Sequence, residues 1–224
     1  MKTHLSAEFF VGNRERLLAS LKGGVVALTA YTEMQRGNDI AHEFEQESNF
    51  WYLTGIEQPD WWVIGDSARA KWWLVAPELS EITEAFDGSL TPEEAKKISG
   101  IDEVIDRGEA LGLLRQLHRS HSLAYTCDHP PHLEKYYTFV LNPAPRELRE
   151  LLERNFNRVQ NCRQEITRLK AIKQPEELAC MKGAINLTVN AFKKVHENFQ
   201  KYKWEYEIEA DFTYIFGKNG CKHA

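Results

Sequence analysis

Two apolar runs, Trp61-Trp62-Val63-Ile64-Gly65 and Lys71-Trp72-Trp73-Leu74-Val75, flank the short connection Asp66-Ser67-Ala68-Arg69-Ala70. A connection that short suits a hairpin, since a parallel pair needs a crossover of a dozen or more residues. Around the hairpin, strand and helix patterns alternate. Phe9, Phe10, Leu17, Leu18 and Leu21 share a helical stripe that stops at Gly23-Gly24. Val25 to Thr29 reads as a buried strand, Pro92 to Ser99 and Glu109 to Arg119 as helices, Ser122 to Cys127 as a strand and Arg146 to Arg158 as a helix. A hairpin set among strand–helix alternation predicts an α/β domain with a mixed sheet, over residues 1–165.

Several function classes are excluded early. The 33 acidic and 28 basic residues leave a net charge of −5, with no basic stripe for nucleic acid. Met1-Lys2-Thr3-His4 leads into a polar amphipathic segment rather than a signal peptide. The apolar windows, Gly24 to Ala30 and Trp72 to Ala76, are strand-length, so no membrane span is expected. Cys127, Cys162, Cys180 and Cys221 follow no CxxC spacing. They read as free thiols in a reducing cytoplasm.

The pattern changes towards the C-terminus. Val159 to Lys173 is polar and reads as a strand and turn. Gln174-Pro175-Glu176-Glu177 then signals a helix start, with Pro at the first turn and acidic residues behind it. That helix runs to about Phe199, and a second runs from Trp204-Glu205-Tyr206-Glu207 to Phe216, where Gly217 and Gly220 stop it. Residues 166–224 are therefore expected to be a linker and the opening of a second domain.

Two stretches resemble a known family. Phe44-x3-Ser48-Asn49-Phe50-Trp51-Tyr52-Leu53-Thr54-Gly55 resembles the Phe-x3-Ser-Asp-Phe-x-Tyr-Leu-Thr-Gly stretch of the aminopeptidase P N-terminal domain, also called the creatinase N-domain. Ile166-Thr167-Arg168-Leu169-Lys170-Ala171-Ile172-Lys173-Gln174-Pro175-Glu176-Glu177 is similar to the linker that opens the α+β pita-bread catalytic domain of the same enzymes. The resemblance implies a mixed-sheet N-domain followed by the first two helices of that catalytic domain. Full-length members are Xaa-Pro aminopeptidases or prolidases, acting on proline-containing peptides. They use two manganese ions held by two Asp, a His and two Glu, and the metals acidify water and polarise the scissile carbonyl.

Those ligands lie in the family beyond the second helix and the strand after it. The expectation is therefore that this chain holds neither catalytic residues nor metal ligands and is inactive alone. It would contribute oligomerisation, as a homo-oligomer, and active-site gating. The rival reading is a non-enzymatic binding module of the same architecture, as in the histone-chaperone complex FACT.

Three other constellations stand out in the sequence. His118, His121, Cys127, Asp128, His129 and His132 crowd one segment, but their spacing matches no standard zinc site. A surface helix end, a strand and a polar loop explain them as well. The adjacent tryptophans Trp61/Trp62 and Trp72/Trp73 alternate faces if they lie in strands, so one ring of each pair enters the core. Trp51, Trp62 and Trp73 then remain as contact candidates, with burial under a helix, a subunit contact and a partner surface all open. His42 and Phe44, in the polar stretch before Ser48, are candidates for facing substrate. Arg168 and Lys173 read as solvated linker charges, and no Gly-x-Ser-x-Gly suggests a nucleophile.

Overall fold

Helix α1 (Ala7–Ser20) starts where the Ser6 hydroxyl accepts a hydrogen bond from the Phe9 amide, supplying a partner that the first turn lacks. Strand β1 (Val25–Thr29) follows, then a small hairpin of β2 (Gln35–Gly37) and β3 (Ile40–Ala41), and helix α2 (Ser48–Thr54). Strands β4 (Trp62–Asp66) and β5 (Lys71–Val75) form the expected antiparallel pair. Helices α3 (Glu81–Asp87) and α4 (Pro92–Ser99) lead to β6 (Glu103–Ile105), and α5 (Arg107–His118) leads to β7 (Leu123–Thr126). Helices α6 (Pro131–Tyr136) and α7 (Ala144–Asn155) precede β8 (Arg158–Asn161), and α8 (Arg163–Ala171) closes the unit. This computed structural model describes residues 5–136 and 140–222 and divides into two compact units, the larger being Ser6–Ile172.

The main sheet has the order β6-β5-β4-β1-β7-β8. Only β4 runs against its neighbours, antiparallel to both β1 and β5, while β1/β7, β7/β8 and β5/β6 pair in parallel. The sheet is thus mixed because of one hairpin.

Both faces are covered. Val25 and Ala27 of β1, Ile64 of β4 and Trp73 and Val75 of β5 share one core with Ala110, Leu114 and Leu117 of α5 and with Leu148 and Leu152 of α7. The opposite residues, Val26, Leu28, Val63, Trp72 and Leu74, are also buried, and α1, α2, α4 and α8 pack on one another over that side. The Trp pairs do alternate, but neither face is open. Trp72 and Trp73 are therefore 9% and 4% exposed.

The segment read as strand and turn from Val159 to Lys173 is mostly helix. Only Arg158–Asn161 is strand, and Arg163–Ala171 is α8. Its Arg, Gln, Glu and Lys residues are good helix formers, and one fully buried contact, Ile166, anchors it.

The second unit contains Lys173 onward. Helix α9 (Pro175–Asn198) has Pro175 in its first turn, with the Gln174 amide donating to the Glu177 carboxylate at 2.9 Å. Helix α10 (Glu205–Lys218) packs on α9 through an edge-to-face contact of Phe192 and Phe212, with centroids 4.9 Å apart. Trp204, Tyr206 and Tyr214 stay more than half exposed. Among the described residues, no helix is long and apolar enough to cross a membrane.

Candidate functional site: a crevice at the ends of β1 and β7

Strands β1 and β7 are parallel neighbours, yet the chain leaves them in opposite directions. From β1 it reaches β4 on one side, and from β7 it reaches β8 on the other. In an open sheet such a reversal leaves a crevice outside the carboxyl ends of the two strands, where ligands bind. The residues after β1 and β7 do line cavities here. One, of about 660 Å³, includes Met34, Asp128, His129, Val140, Asn142 and Arg149. An adjoining one, of about 640 Å³, includes Tyr31, Met34, His42, Phe44, Val140 and Asn142.

Polar bonds fix its walls. The Asn142 amide donates to the Thr32 carbonyl at 2.7 Å and accepts from the Thr32 and Ala144 amides at 3.3 and 3.2 Å. His129 Nε2 donates to the Asn142 carbonyl at 2.9 Å, which fixes the ring against the crevice wall. The Arg149 guanidinium grips both Asp128 oxygens at 2.9 and 2.7 Å and reaches Glu153 at 2.9 Å, so one cation is shared between two carboxylates. Burial, and then the Glu47 carboxylate, push the Tyr31 phenol above its usual range, with Arg163 opposing. Behind Asp128, Cys127 and Cys162 place their sulfurs 3.9 Å apart. The hydrogen bond with Cys162 and then burial hold the Cys127 thiol well above its ordinary pKa.

Glu47 caps the neighbouring helix α2. Its carboxylate accepts from the Asn49 and Phe50 amides, both at 2.7 Å, and from Asn49 Nδ2 at 2.8 Å, which caps α2. Sequence reasoning passed over this residue, because Ser48 beside it looks like the cap and Glu is an unusual one. It also missed Tyr31, Asn142 and the Asp128–Arg149 pair. Their spacing along the chain carries no signal, since the sheet order alone brings them together.

The sequence candidates separate. His42 is exposed and Phe44 half-buried, and both line the crevice. Trp51 is half-buried with its ring edge-on to Phe10 at 5.8 Å. Trp62 is half-buried beneath the Arg107 guanidinium, 3.6 Å from its ring centre. Trp73 lies in the core. None of these three lines the crevice.

The histidine-rich segment is also dispersed. His121 pairs with Asp66 at 2.8 Å and His118 stands edge-on to Phe156, before β7, whereas Cys127 and His129 follow it. Among the described residues, no group of three or more His, Cys, Asp or Glu is placed to hold a metal ion. These side chains therefore do not fit a two-metal centre. What the crevice offers is shape, a paired guanidinium and an anchored imidazole, which suit holding or positioning.

Fold and crevice define an α/β domain built on a largely parallel sheet that opens at a switch point. The chain belongs to the aminopeptidase P N-terminal domain family, whose family model matches residues 10–125. Among curated relatives, the Xaa-Pro aminopeptidase of Haemophilus influenzae is 23% identical over 219 residues, covering 96% of this chain and 48% of that protein. The Escherichia coli Xaa-Pro aminopeptidase is 23% identical over 229 residues, covering 99% and 51% respectively. Mouse Xaa-Pro aminopeptidase 3 is 29% identical over 189 residues, covering 77% and 36%.

The chain spans about half the length of the first two relatives. A solved structure of aminopeptidase P from Escherichia coli, in a low-pH form, superposes with a TM-score of 0.79 at 22% identity, over 97% of this chain and 50% of that one. A zinc-substituted form of the Escherichia coli enzyme in complex with product matches with a TM-score of 0.77 at 21% identity, over 96% and 50%. At that identity the likeness establishes the fold.

Proposed function

We propose that this chain is the non-catalytic front portion of a metal-dependent Xaa-Pro aminopeptidase, an enzyme that hydrolyses the bond between an N-terminal residue and proline. The observation that carries this reading is the extent of the match. Relatives named for that activity align with nearly the whole chain while it spans about half of them. Two bound manganese ions would supply an acidified water and a polarised carbonyl, and in this reading their ligands are outside the 224 residues.

Within the parent, the crevice and the loop bearing His42 and Phe44 shape the approach of a proline-containing peptide. Half-buried Trp51 and Trp62 serve subunit contacts in a homo-oligomer. Trp73, inside the core, acts through the packing beneath that surface. The test is an assay of the purified chain on an Xaa-Pro peptide with added manganese. No release of the N-terminal residue is expected, and manganese-dependent hydrolysis would overturn the proposal. Sedimentation tests the oligomer, which is lost as a proposal if the chain is monomeric at every concentration.

A further inference from the structure

Cys127 and Cys162 lie one residue past the ends of neighbouring parallel strands. The register pairs Thr126 with Asn161, so the two cysteines come level, and the Cys162 amide donates to the Thr126 carbonyl at 2.9 Å. Both are buried, and their sulfurs are 3.9 Å apart. Neighbouring strands stand about 4.8 Å apart, inside the ~4.4–6.8 Å between Cα atoms that a disulfide spans. Bringing the sulfurs to about 2.05 Å therefore asks for side-chain rotation rather than backbone displacement. Cys162 sits at a strand-to-helix turn, with φ −102° and ψ 14°, outside the ladder.

The surroundings give such a bond a consequence. Asp128, next to Cys127, is held by Arg149 through its carboxylate and by Arg163 Nε through its carbonyl, at 2.7 Å. Arg163 opens α8 directly after Cys162. A bond between the two sulfurs would tie the crevice wall at Asp128 to the first turn of α8.

We propose that Cys127 and Cys162 form a thiol–disulfide exchange site, closed to an intramolecular disulfide by a low-molecular-weight disulfide of the glutathione type. Cys127 reacts first, because it keeps 6% exposure and Cys162 has none. Its thiolate attacks one sulfur of the oxidant, forming a mixed disulfide and releasing one small thiolate. Cys162 then attacks the Cys127 sulfur, expelling the second small thiolate, which takes up the Cys162 proton and leaves as a thiol. The protein gives up two protons and two electrons, and the oxidant leaves as two thiols. Attack needs the thiolate, which is scarce at neutral pH in this setting, so closure speeds up as pH rises.

The experiment uses a C180S/C221S variant, which leaves only this pair, treated with oxidised glutathione under native conditions. The expected product has lost two hydrogens, retains no glutathione, resists alkylation and is reopened by dithiothreitol. It melts higher than the reduced form, and amide exchange slows over Arg163–Ala171. With Cys162→Ser added, or Cys162→Ala if the serine variant does not fold, a glutathione adduct should persist on Cys127. The proposal is overturned if stable adducts accumulate on both cysteines of the pair. It is equally overturned if closure occurs only in denaturant, or if oxidation lowers the melting temperature. None of these readouts depends on peptidase activity, so the result stands apart from the functional reading above.

Discussion

Glu47→Ala removes the cap of α2 at the point where the family-like stretch begins. Its carboxylate, in a residue 4% exposed, accepts three hydrogen bonds at 2.7, 2.7 and 2.8 Å from Asn49 and Phe50. Loss of a helix cap costs about 1 kcal/mol, and each buried donor left without a partner costs about 1–3 kcal/mol more. Relief from burying a carboxylate offsets part of that, which leaves a net loss of about 2–4 kcal/mol. The helix cannot shed the strain by fraying, because Phe50 and Leu53 are fully buried.

At about 2–4 °C per kcal/mol for a chain of this size, the melting temperature should fall by about 5–15 °C in thermal unfolding followed by circular dichroism. Glu47→Gln keeps one oxygen for the two backbone amides and should lose about half as much. The Arg163 contact, at 3.5 Å with Arg163 25% exposed, should contribute under about 1 kcal/mol in a double-mutant cycle. A Glu47→Ala protein within about 0.5 kcal/mol of the parent, below the usual value of one cap, would refute this account of α2.

Three further outcomes are expected. A Cβ at Gly65 would stand 2.6 Å from the Trp72 ring, so Gly65→Ala should cost about 1–3 kcal/mol in urea unfolding; most of that cost should vanish beside Trp72→Leu. The Tyr202 hydroxyl donates to Asp211 at 2.5 Å, and that bond, foremost, pushes the phenol up to about 12. Absorbance titration should show one tyrosine ionising there and Asp211→Asn bringing it back to about 10. Because the folded value lies above the unfolded one, its contribution to stability is present below about pH 10 and lost as pH rises towards 12. Lys170 donates to the Ser48 carbonyl, the Ser48 hydroxyl and Asn49 Oδ1 at 3.0, 3.1 and 2.9 Å. Lys170→Met should cost about 1 kcal/mol and speed amide exchange in α8 about fivefold; unchanged exchange would count against the clamp.

Local patterns made much of the scaffold legible. The Thr91-Pro92-Glu93-Glu94 start and the Gly100 stop mark α4 at the bounds it has, because caps and glycine act within a few residues. The hairpin was equally plain, since two apolar runs so close together leave few alternatives. Helix α8 was not, because Arg163–Ala171 buries little apolar surface and its pattern is too weak to show a period. The crevice was invisible for a different reason. Tyr31, Asp128 and Asn142 become neighbours only once β7 inserts beside β1, a pairing that no short window encodes. His42 and Phe44 reach that crevice because they follow β1, whereas Trp51, Trp62 and Trp73 were chosen by ring chemistry and went where packing took them.

The stretch that most resembles the family turns out to hold the scaffold together. Asn49 bridges the Glu47 carboxylate and the Lys170 ammonium, which joins α2 to α8. The Tyr52 carbonyl accepts from Asn13 and the Leu53 carbonyl from Arg14, both at 2.7 Å, which joins α2 to α1. Arg14 also reaches the Ser99 carbonyl at the end of α4, at 2.8 Å. Gly55 ends α2 at φ 71°, and a Cβ there would stand 2.5 Å from the Phe10 ring, so the position needs glycine on two counts. Apart from Phe44, which lines the crevice, this stretch thus fastens α2 between α1, α8 and the sheet. A signature of this kind marks a structural clamp, whatever reaction the rest of the protein performs. It is therefore firm ground for assigning the family, while assigning the reaction to these residues requires the assay proposed above.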